Sequence, residues 1–149
     1  MKKIFSKLTS IALLAVSLLL MSAANETQLS AVVNDSVSET EVSYAYLKSI
    51  FKAQKTRWKD GSKITLVMLK PESAGGALMC SKVFGQSASD VNKFYMALVF
   101  QGQITAPKFC NSDDELKAYV KNTKGAIGLL PAKDAAGAKT IKVDGNVAF

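Results

Sequence analysis

The 149-residue chain contains no histidine, which removes the commonest general base and the usual transition-metal ligand together. Three groupings remain that could do chemistry: the cysteines Cys80 and Cys110, the acidic run Asp113-Asp114-Glu115, and the small-residue turn Ser73-Ala74-Gly75-Gly76. The two cysteines are thirty positions apart, not in the close CxxC spacing of a redox pair. In an oxidising compartment an even pair reads first as a disulfide, Cys80–Cys110, against the alternative of two separate buried thiols. The acidic run follows Ser112, and Ser112-Asp113-Asp114-Glu115 is the pattern of a capping box at a helix start. A calcium loop would need oxygen donors at alternating positions, which this run does not supply. Serine and lysine are plentiful, but no SxxK followed by a supporting motif appears. The expectation is therefore a protein that is not an enzyme, with no catalytic residue, metal site or cofactor.

The turn is the remaining candidate. Ile64 to Leu69 is a short apolar run rich in β-branched residues, it ends at Lys70-Pro71, and helical patterning follows from Ala74 to Phe84. A strand leading through a small-residue turn into a helix presents backbone N–H groups and a favourable dipole to an anion. Ser73 adds a hydroxyl donor. The other reading is an ordinary N-cap, in which Ser73 satisfies its own helix and the glycines permit close packing. Ser73, Ala74, Gly75 and Gly76 are the candidate ligand-binding residues under the first reading.

Elements on either side must position this turn. Leu29 to Val33 reads as a first strand ended by Asn34-Asp35-Ser36. Ser43 is a plausible N-cap for a helix through Phe51 that carries Leu47, Ile50 and Phe51 on one face, although Thr40-Glu41 could start it earlier. Lys52 to Ser62 is a basic loop closed by an Asp60-Gly61 turn. Within it Trp58 lies between Arg57 and Lys59. Such a placement suits stacking on a ligand ring, but with no second aromatic-basic cluster the packing reading is preferred. Gly85 ends the helix after the turn, and Ser87 caps another with Val91, Phe94, Tyr95, Leu98 and Val99 on a broad apolar side. Gly102 to Phe109 reads as loop. A helix from Asp113 to Lys121 turns Leu116, Tyr119 and Val120 inward. Ala126 to Leu130 is a short strand ended by Pro131, and Lys139 to Val143 alternates as a last edge strand. Alternating strands and helices predict an α/β fold, a small mixed sheet flanked by helices.

The first 24 residues read as an address. A basic start, an apolar run from Ile11 to Met21 and small residues at Ser22-Ala23-Ala24 form a secretory signal with cleavage expected after Ala24. The apolar run is short for a membrane span. The expected product is a single domain over 25–149, exported to the periplasm and not membrane-bound after cleavage. The chain holds 19 basic and 12 acidic residues. Lys2, Lys3 and Lys7 belong to the signal, so the remainder carries only +4, which argues little for nucleic acid.

Several segments together resemble the phosphate-type periplasmic substrate-binding proteins: Val32-Val33-Asn34, then Leu47 to Phe51, then Arg57 to Ser62 followed by Ile64 to Val67, and later Asn122 to Gly128. Ser87 to Phe100 is similar to that family's intervening helix. The resemblance implies one lobe of a type 2 periplasmic binding protein, a non-catalytic carrier that serves an ABC transporter. It implies a small oxyanion such as phosphate as ligand, held by backbone N–H groups and serines. By position Ser73 matches the family's serine, Ala74-Gly75 replaces Gly-Thr, and Leu69 stands where an arginine belongs. Losing that arginine removes a charge-assisted contact of about 1.5–3 kcal/mol. The opposing lobe has no counterpart in the sequence. The alternative is therefore a periplasmic interaction or accessory module, with a partner protein or a second copy on the face where that lobe would sit.

Overall fold

The computed structural model describes residues 28–149. The expected signal segment, 1–24, lies outside the described residues. Among those described, no helix is long and apolar enough to cross a membrane.

Six strands form one mixed sheet: β1 (Leu29–Val33), β2 (Glu41–Val42), β3 (Thr65–Leu69), β4 (Lys108–Cys110), β5 (Ala126–Pro131) and β6 (Thr140–Val143). Their order across the sheet is β2-β6-β1-β5-β3-β4. The β1 strand runs antiparallel to β5, with Leu29 opposite Pro131 and Val33 opposite Ile127. Parallel to β5 lies β3, with Thr65 opposite Ala126, and β4 is parallel to β3. The two sequence expectations that differ most concern the edges. Strand β6 is not an edge, because Glu41 and Val42 pair outside it. Strand β4 falls partly in the segment that reads as loop. Both missed strands are two or three residues long, too short for an alternating pattern to register.

Helices α1 (Tyr44–Phe51), α2 (Ala74–Met79), α3 (Ala88–Phe100) and α4 (Asp113–Asn122) cover the two sheet faces. Each begins at a serine whose Oγ accepts the N–H three residues on: Ser43 from Tyr46, Ser73 from Gly76, Ser87 from Asp90 and Ser112 from Glu115. Capping of this kind contributes about 1 kcal/mol per helix. The helix after the turn is not uniform: α2 widens into a π-helix over Cys80–Phe84 before Gly85 closes it in the left-handed conformation. The Lys82 carbonyl in that widened segment accepts Tyr44 Oη at 2.6 Å.

Successive strand side chains point to opposite faces, so the sheet separates two apolar cores. Ala31, Val33, Met68, Ile127, Leu129, Ile141 and Val143 pack with Leu47, Phe51, Met79, Val83, Val91 and Tyr95 of the three helices on one side. Val32, Val67, Leu69 and Leu130 pack with Leu116 and Val120 of α4 on the other. The apolar side of α3 proves narrower than its sequence suggests. Of the five residues on that side Val91 and Tyr95 are buried, Phe94 and Leu98 are half-buried and Val99 is exposed, as are Met96 and Phe100 elsewhere on the helix.

This layering decides the cysteines. Cys80 is buried in the first core and Cys110 in the second, and both are free thiols. The expected Cys80–Cys110 disulfide is therefore corrected: an intact sheet stands between the two sulfurs, and a disulfide needs its Cα atoms within about 7 Å. Burial, with a smaller contribution from the Glu72 charge, pushes the Cys80 thiol up to about 11. Burial first and Glu115 second also raise Cys110, partly offset by Lys108. Neither is then a thiolate at neutral pH, the form that reacts. Thiol titration should find both cysteines silent in the native protein and two thiols after denaturation without reductant. Recovery of no thiols from the denatured, unreduced protein would reinstate the disulfide.

Candidate functional site

The Ser73 turn lies where the sequence places it, at the carboxyl end of β3. Ser73 takes an extended conformation (φ −74°, ψ 159°), and its hydroxyl does two jobs. It accepts Gly76 N–H at 3.1 Å and donates to the Lys70 carbonyl at 2.7 Å. Ser73 N–H donates to the same carbonyl at 2.9 Å, and Ser73 O accepts Ala77 N–H at 2.8 Å. The Ser73 side chain thus fulfils the cap reading. Two donors stay outside this network: Ala74 and Gly75 occupy the first two helical positions, where an N–H has no intrahelical acceptor. Ala74 is exposed and Gly75 half-buried.

Close packing requires Gly76 and only crowds Gly75. A Cβ on Gly76 would sit 2.0 Å from the Lys70 carbonyl oxygen, and one on Gly75 would meet Leu69 Cδ1 at 2.5 Å and the Pro131 ring at 3.3 Å. Leu69 is buried, only 4% exposed, in the core beneath α4. The position where the resemblance implies an arginine therefore supplies an apolar floor to the turn and no charge. Around it the charges are balanced: Lys70 is exposed, and Glu72 is exposed and accepts Asn92 Nδ2 at 2.8 Å.

The remaining sequence candidates resolve structurally. Trp58 is 2% exposed, and its Nε1–H donates to the Gly125 carbonyl at 3.0 Å. Its ring is consequently core, not a stacking platform. The Asp113-Asp114-Glu115 run opens α4 as expected, with one change from the standard box. Glu115 Oε2 accepts Asn111 N–H at 2.7 Å and Asn111 Nδ2 at 3.0 Å, one residue upstream of the cap. These bonds hold the Glu115 carboxyl below its ordinary range. Burial, then the neighbouring Asp134 charge, raises Asp113. No cluster of three metal-ligating side chains occurs among the described residues.

Two buried polar residues escape a reading by sequence. Asn34 Nδ2 donates to the Val120 and Lys121 carbonyls at 2.8 and 2.7 Å, terminating α4 from 86 residues away. Glu39 accepts Lys59 N–H at 2.8 Å and anchors the basic loop. Their only local signal is a polar residue beside an apolar segment, which also describes any turn.

The sequence matches no protein-family model and no curated protein. Solved structures share the fold. An ABC-type phosphate transport receptor from Vibrio cholerae aligns over 78% of this chain and 46% of its own, with 20% identity and a TM-score of 0.55. A Clostridium perfringens chain with bound phosphate, assigned as a phosphate ABC transporter substrate-binding protein, aligns over 79% and 45%, with 17% identity and a TM-score of 0.61. PstS from Borrelia burgdorferi aligns over 79% and 47%, with 15% identity and a TM-score of 0.56. The fold is thus that of a single lobe of such binding proteins, and the chain spans less than half the length of each of these three.

Proposed function

We propose that this protein is an exported, non-catalytic binding lobe that contacts a small oxyanion such as phosphate through the N–H groups of Ala74 and Gly75. The observation that carries the reading is that these two donors lack intrahelical partners at a strand-to-helix turn, in a fold shared with phosphate-binding receptors. Because Ser73 Oγ is spent inside the turn and Leu69 brings no charge, the contact is weak. It belongs in the millimolar range, about −4 kcal/mol. In 15N-labelled protein, millimolar phosphate or sulfate should shift the Ala74 and Gly75 amides saturably, and Ser73→Ala should weaken that response by loosening the cap. Amides that ignore both anions would remove oxyanion binding and leave the fold assignment untouched.

The second reading, an interaction or accessory module that has kept the lobe without the ligand, draws on the same Leu69 substitution. Met96, Val99 and Phe100, exposed along one side of α3, supply apolar surface for it. Light scattering separates the readings: a strict monomer that responds to phosphate contradicts the second.

A further inference from the structure

The opposite end of β3 carries a concavity that the turn does not use. β4 joins β3 only from Val67 opposite Lys108 onward, and upstream of Pro107 the chain leaves the sheet. The departing segment, the start of β3 and the stretch from Ala53 to Thr56 after α1 line an open cavity of about 290 Å³. That volume is at the low end of small-ligand sites, which run from about 300 to 1,000 Å³.

Three features of this cavity converge. The first is a donor. Thr65 N–H bonds to Gly125 O on the β5 side at 3.1 Å. Backbone groups alternate along a strand, so Leu66 N–H points the other way, toward β4, whose register has not yet begun. The second is charge. Lys55 and Lys63 are the ionisable residues of the lining, with no carboxylate among them, and neither forms an ion pair among the described residues. The third is an apolar wall of Leu66, Ile104 and Pro107. A hydrogen-bond donor and two unpaired ammonium groups beside apolar surface suit one kind of ligand.

We propose that this cavity binds a small organic carboxylate with an apolar body. The carboxylate accepts from Leu66 N–H and from a lysine ammonium, and the body rests on Ile104 and Pro107. Inorganic phosphate offers nothing to that apolar wall, so this site and the Ser73 turn select different anions and stand or fall separately.

Titration of 15N-labelled protein with hexanoate, beside acetate and hexan-1-ol, tests the assignment. Hexanoate should shift the Leu66 and Ala106 amides saturably, and more tightly than either control. Lys55→Gln and Lys63→Gln should each weaken hexanoate by roughly two- to fivefold, the range of an exposed charge contact. Both lysines are on the surface, so the variants leave the core alone. Hexanol binding as well as hexanoate would overturn recognition of the carboxylate. Shifts confined to residues outside the cavity, or none that saturate, would overturn the site.

Discussion

Gly76→Ala is expected to destabilise the fold by about 3 kcal/mol or more, a drop on the order of 10 °C in Tm for a domain of this size. The added methyl would lie 2.0 Å from the Lys70 carbonyl oxygen and 2.7 Å from its carbon. A flexible side chain could turn away, but this carbonyl cannot. It accepts both Ser73 N–H and Ser73 Oγ, and Lys70 N–H is tied to Cys110 O at 3.0 Å. Relief of the clash therefore breaks the cap of α2 or the end of the β3–β4 ladder. Gly75→Ala is the informative contrast. Its nearest neighbour is the tip of Leu69, which can rotate, and alanine gains helix propensity over glycine. That variant should lie within about 1 kcal/mol of the parent. Thermal unfolding followed by circular dichroism compares the two directly. Equal midpoints would mean that the turn packs less tightly than its geometry indicates, and would return the glycines to a ligand-contact role.

Gly125→Ala should be comparably damaging, for a combined reason. Gly125 has φ +70°, and a Cβ there would stand 2.2 Å from the Lys63 carbonyl oxygen. Its backbone is also a junction: the N–H donates to Ser36 Oγ, and the carbonyl accepts both Thr65 N–H and Trp58 Nε1–H. A left-handed alanine alone costs about 1–2 kcal/mol, and displacing the junction brings the total to roughly 3 kcal/mol or more. Trp58, the chain's one tryptophan, reports the change through its own fluorescence. In denaturant titrations its emission should move to the red at a lower midpoint. Gly61→Ala isolates the backbone term, since Gly61 has φ +86° with open space around it. A Gly125 variant no worse than the Gly61 variant would show that the Lys63 contact yields.

These junctions explain which features are legible in the chain. Ser43, Ser73, Ser87 and Ser112 each cap the helix they precede, because capping is decided within four residues and the side-chain oxygen needs no distant partner. Strands β1, β3 and β5 are legible for a similar reason: largely buried between helix layers, they are mostly apolar runs, broken only by Ser30 in β1 and by Thr65 at the start of β3. Legibility fails at β2 and β4, where two or three residues become strand only because a neighbouring strand offers its edge. It fails again at Cys80 and Cys110. Their number and separation fit a disulfide, and only the face on which each lies shows that the sulfurs cannot meet.

The candidate site divides along the same line. The strand, the small-residue turn, the helix start and the absence of histidine chemistry follow from the sequence by itself, since each depends on residue type and near neighbours. What the Ser73 hydroxyl bonds to, why Gly76 tolerates no side chain, and which N–H groups stay open are matters of contact between the turn and the end of β3. So is the cavity beside Leu66, which exists because β4 begins one residue too late to cover it. Residue order determined the elements and the turn; their packing across the sheet decided which polar groups remain free to meet a ligand.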